Sequence, residues 1–135
     1  MTKDKLFKRE YARELLAIAA GDLGSAELMA TDQNKGRREN ICYAAQQSIE
    51  KAQMAVICAQ GDANALTHSI EFLLDKVKGS APPHGDELIE LTDFATVKRY
   101  QEGNEIITAE DISATIGAAK KVLIWAQAKI DALLS

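Results

Sequence analysis

Residues that staple or coordinate are scarce in this 135-residue chain, which has only two cysteines and two histidines. Cys42 and Cys58 stand sixteen positions apart. On one helix that spacing puts them roughly 24 Å apart along the axis. A disulfide needs Cα atoms within about 7 Å, so an intrachain bridge is excluded. Both thiols are expected to be reduced and to behave as small apolar side chains. His68 and His84 have no CxxC or HExxH companions, so neither a metal nor a cofactor is expected. Long apolar runs are also missing, because charges interrupt each one before the ~20 residues of a membrane span. The opening Met1-Thr2-Lys3-Asp4-Lys5 leads into no apolar core of the signal-peptide kind. The expectation is a cytoplasmic protein without a membrane contact. Alternating β-branched runs are nearly absent, which argues against strands. A net charge of −4 disfavours coating of DNA, and no DNA partner is expected. It leaves room for a local basic spot that takes one phosphate.

What remains is an ordinary globular balance, 47% hydrophobic and 27% charged. The length suits a single domain over residues 1–135. Three-and-four spacing of apolar residues recurs along most of it. The first helix is expected over about 5–30, with a stripe of Tyr11, Leu15, Ile18, Asp22, Ala26 and Met29. Gly21 and Gly24 inside it cost about 1 kcal/mol each relative to alanine. They sit among Ala19, Ala20, Ser25 and Ala26, a small-residue patch that lets another helix approach closely, and a break near Gly21 is an alternative. A second helix over about 39–60 carries Ile41, Ala45, Ile49, Ala52, Val56 and Ala59 and ends at Gly61-Asp62. Shorter helices are expected over about 66–77 and 86–95, separated by the loop Lys78-Gly79-Ser80-Ala81-Pro82-Pro83-His84-Gly85. The last helix opens with a capping-box pattern, Thr108-Ala109-Glu110-Asp111. Its stripe is Ile112, Ile116, Ala119, Leu123, Ala126 and Ile130, flanked by Trp125 and Leu133. The fold class is all-α, an up-and-down bundle of about five helices.

Charge is unevenly spread. Residues 86–111 hold eight acidic and two basic side chains, and the two basic ones are adjacent, Lys98-Arg99. That pair is an isolated cationic spot, suited to one phosphate or carboxylate, within a run that otherwise reads as solvated surface.

The run Tyr43-Ala44-Ala45-Gln46-Gln47-Ser48-Ile49-Glu50-Lys51-Ala52 resembles the second-helix signature of the HEPN domain family. Further elements follow in the family's order: His68-Ser69-Ile70, Leu73-Leu74, Leu91-Thr92, Arg99-Tyr100, and Glu110-Asp111 with Ala118, Val122 and Trp125. The resemblance implies a small helical domain that commonly forms a homodimer and associates with nucleotides or RNA, in some cases beside a small nucleotidyltransferase in a toxin–antitoxin-like pairing. It also implies a question about catalysis. Ribonuclease members use an Arg followed, after four to six residues, by a His. Here no arginine precedes His68 or His84 at that distance, and Arg99 is followed by Tyr100-Gln101-Glu102-Gly103-Asn104-Glu105 with no histidine. Histidine is the side chain that handles a ribose 2′-OH proton near neutral pH without a large shift. No catalytic residue is therefore assigned.

The candidate ligand-binding residues are Arg99, Lys51, Gln47, Glu50 and Tyr100. Gln47 lies three residues before Glu50 and four before Lys51, so the three neighbour one another on a helix. They read either as a patch that grips a base or phosphate or as a network that fixes helix packing. Arg99 offers a planar fork to a phosphate, or an internal partner to Glu50 or Asp22. Asp22, on an apolar stripe, needs a partner if buried. Tyr43, Tyr100 and Trp125 read as core or interface rather than base-stacking platforms. Three functions stay open: a non-catalytic nucleotide- or RNA-associated module, a structural or regulatory interaction protein, and an atypical metal-independent ribonuclease.

Overall fold

The computed structural model describes residues 3–31, 38–61 and 107–135, with side chains from residue 9 onward. Three helices account for almost all of them: α1 (Lys3–Ala30), α2 (Arg38–Ala59) and α3 (Ala109–Leu134). No strand occurs among the described residues. The expected helices over 66–77 and 86–95 lie outside them.

Helix ends follow local chemistry. Gly61, at φ +89°, takes the left-handed conformation that closes α2, and its N–H donates to the Cys58 carbonyl at 2.9 Å. At the start of α3 the Thr108 hydroxyl accepts from the Asp111 N–H at 3.0 Å. The Asp111 carboxylate accepts from the Thr108 N–H at 2.9 Å, completing the expected capping box.

The seam between α1 and α2 is lined with alanine: Ala12, Ala19 and Ala26 from α1, and Ala45, Ala52, Ala55 and Ala59 from α2, all fully buried. Small side chains let the two backbones approach. The Ser48 hydroxyl consequently reaches across to the Ala19 carbonyl at 2.7 Å. Bulk comes from Leu15, Leu16 and Leu23, from Ile41, Ile49 and Val56, and from Ile112, Val122 and Ile130. Each such side chain contributes about 1.5–3 kcal/mol on burial.

The apolar stripe expected for the second helix is buried in full, but that of the first is not. The chain buries Ala12, Leu15, Leu16, Ala19, Leu23 and Ala26, while Tyr11 and Ile18 stay about 40% exposed. Close alanine packing sets the phase of α1, and the larger side chains fall outside it. Helix α1 also runs unbroken through Gly21 and Gly24. In α3, Ile112, Ala119, Ala126 and Ile130 are buried as expected, joined by Thr115, Ala118 and Val122, while Ile116, Leu123 and Trp125 are half-buried.

Arg9 fixes the relative directions. Its guanidinium donates from Nε to the Ala59 carbonyl at 3.1 Å and from Nη2 to the Leu133 carbonyl at 2.8 Å. A cation thus sits at the C-terminal ends of both α2 and α3, where the helix dipoles favour it. At the other end Arg38 Nη1 donates to the Ile107 carbonyl at 2.7 Å, joining the starts of α2 and α3. So α2 and α3 run parallel to each other and antiparallel to α1. A strict alternation of five helices would set the first and last parallel, and the described helices do not follow it.

Candidate functional site

Helix α2 is buried around most of its circumference, and one stripe of it is polar. Gln46, Glu50 and Gln53, spaced by four and three residues, are 4%, 1% and 0% exposed. Burying a carboxylate and two carboxamides costs free energy that only hydrogen bonds offset. Glu50 collects two of them: Gln46 Nε2 donates to its Oε1 at 3.0 Å and Gln47 Nε2 to its Oε2 at 3.3 Å. Gln53 is different. Both its Oε1 and its Nε2 are buried without a hydrogen-bond partner among the described residues, as is Gln46 Oε1. An orphaned buried amide costs about 1–3 kcal/mol per group.

Lys51 lies on the half-exposed flank of α2. Its Nζ meets Asp22 Oδ2 of α1 at 2.6 Å, with both side chains 29% exposed. Asp22 therefore has the partner that its place in the sequence calls for, and the partner is Lys51. Of the expected ligand residues, Gln47 and Glu50 are in contact, and Lys51 points to α1. Arg99 and Tyr100 lie outside the described residues, as do His68 and His84. Gln46 and Gln53 did not stand out in the sequence. The signal that finds them is their alignment with Glu50 on a stripe whose other members, Cys42 and Ile57, are apolar and buried.

A family model described as the HEPN domain matches residues 12–129, nearly all of the chain. The chain belongs to the HEPN domain family. Comparison with curated proteins and with solved structures gave no match. In this HEPN domain the Gln-Gln-Ser-Ile-Glu-Lys run serves three purposes at once. Ser48 locks α2 to the α1 backbone, Glu50 organises the buried amides, and Lys51 ties the flank to Asp22. Among the described residues no cluster of His, Cys, Asp and Glu has the makings of a metal site. Among them, too, no helix is long and apolar enough to cross a membrane. Neither Cys42, which is buried, nor Cys58, which is half-buried, forms a disulfide.

Proposed function

We propose that this HEPN domain is a non-catalytic, nucleotide- or RNA-associated module that acts as a homodimer in the cytoplasm, beside a small nucleotidyltransferase. The observation that carries this reading is the polar stripe of α2. Its buried carboxylate and orphaned amides lower stability compared with apolar side chains of the same shape, and a helix built only for packing has no use for them. A base offers donors and acceptors that match carboxamides, and a phosphate matches a guanidinium fork. In this reading Gln47, Glu50, Lys51, Arg99 and Tyr100 hold the ligand, with Lys51 exchanging Asp22 for the anion. The spacing of His68 and His84 from every arginine supports the absence of ribonuclease chemistry.

Thermal unfolding with adenine and guanine nucleotides and short RNAs at about millimolar concentration tests it. A ligand at 100 times its dissociation constant stabilises by about 2.7 kcal/mol, so the midpoint rises by several degrees for at least one of them. No rise with any of them overturns the proposal.

A second reading is favoured by the 2.6 Å contact of Lys51 with Asp22 and by the two amides already bound to Glu50. In it the polar set only specifies helix packing, and the domain is a structural or regulatory interaction protein. Arg99→Glu separates the two. Loss of fold or dimer supports packing, while loss of ligand from an intact dimer supports binding.

A further inference from the structure

We propose that the seam between α1 and α3 is the contact face for a second copy of this chain, the two α1 helices packing antiparallel about a twofold axis near Ala20 and Gly21. This rests on the dimeric part of the reading above and gives it a location. The seam is open. Arg13, Leu16, Ala17, Ala20, Leu123 and Gln127 line a groove of about 220 Å³. A neighbouring hollow of about 480 Å³ shares Leu123 and Gln127 and adds Ile124 and Ala128. Ile124 in that hollow and Leu28 further along α1 are 70% and 73% exposed, the two most exposed large apolar side chains among the described residues.

The charges along the seam are arranged for a second copy in one orientation. At one end Arg13 pairs with Asp131 at 3.1 Å, and at the other Lys120 pairs with Glu27 at 3.3 Å. A parallel mate would set Arg13 against the partner's Arg13 and Glu27 against the partner's Glu27. An antiparallel mate brings Arg13 beside the partner's Glu27, and Glu27 beside the partner's Arg13. The same register is sterically matched: Ala17 faces the partner's Gly24, Ala20 faces the partner's Gly21, and Leu28 covers the stem of the partner's Arg13. Within one copy, a Cβ built on Gly21 or Gly24 meets nothing within 4 Å, so packing among the described residues requires neither glycine. Asp22 and Lys51 lie on the other flank of α1 and remain accessible to a ligand in such a dimer.

Analytical ultracentrifugation of the full chain over a range of concentrations provides the test. The expected result is a reversible dimer. Gly24→Leu and Arg13→Glu should each weaken self-association by about tenfold or more, and Arg13→Glu combined with Glu27→Arg should recover most of it. Gly24→Leu has room in the isolated chain and improves helix propensity, so its fold is secure by circular dichroism even if a charge variant fails to fold. A dimer indifferent to Gly24→Leu and to the charge exchange overturns the assigned face and leaves the dimeric reading standing. A chain that stays monomeric at every concentration overturns both, and one that binds a foreign protein through this face without self-associating overturns the second-copy assignment.

Discussion

Helix α1 is gripped differently on its two flanks. Towards α2 it presents alanines, a side chain that reaches its backbone, and a half-buried ion pair at 2.6 Å. Towards α3 it presents two ion pairs with every side chain 45% exposed or more, and an unfilled groove between them. The first seam is built for close approach and tolerates no added volume. The second is held at its ends and left open in the middle. Among the described residues, α1 is therefore held closely on one flank and loosely on the other.

Overpacking gives the largest contrast. Ala19→Leu adds bulk where the side chain is fully buried and where Ser48 donates to the carbonyl of that same residue. It is expected to destabilise by about 1–3 kcal/mol in chemical denaturation. Next in size is a gain. Gln53→Leu removes two orphaned polar atoms from the interior and is expected to raise stability by about 1–2 kcal/mol in the same measurement. A loss of stability would instead mean that this amide is satisfied in the folded protein. Lys51→Met keeps the apolar stem and removes the cation opposite Asp22. A cost of about 1 kcal/mol or less is expected, reduced by raised salt because both partners are partly exposed.

The smallest effect belongs to the open seam. Hydrogen bonds from Arg13 and then Gln127 hold Asp131 below the ordinary aspartate range, outweighing a small upward push from desolvation. A carboxyl with a depressed folded pKa adds stability above its unfolded value of about 3.9, and that contribution is lost as pH falls through the folded value. Asp131→Asn should therefore cost less at neutral pH than Lys51→Met does, and that small gap to the parent protein should narrow only below about pH 4. A cost larger than that of Lys51→Met at neutral pH would mean the two seams are not as unequal as their exposures indicate.

Much of this was legible in the residue order. The apolar stripe of α2, the glycine that ends it, the capping box at Thr108 and the need of Asp22 for a partner all rest on local rules of spacing and backbone conformation. The phase of α1 was not legible in that way. Periodicity favours the largest apolar side chains, Tyr11 and Ile18, whereas the packing that formed depends on how closely two backbones approach, a property of alanines on both helices together. Gln46 and Gln53 were hidden for a related reason. A polar stripe reads as solvated until a neighbouring element is known to cover it. The candidate site was legible only as far as its signature: Gln47 touches Glu50, and Lys51 is held by α1.

Arg9 has a consequence for the order of events in folding. Its guanidinium spans 124 positions of sequence to reach Leu133. That contact joins the first described helix to the end of the last, and it cannot form until the chain through Leu133 has left the ribosome. The pairing of α1 with α2 requires no such wait. The nascent protein can assemble its alanine seam early, whereas the clasp from α1 to the end of α3 closes later and carries the loop-closure entropy of the long stretch between them.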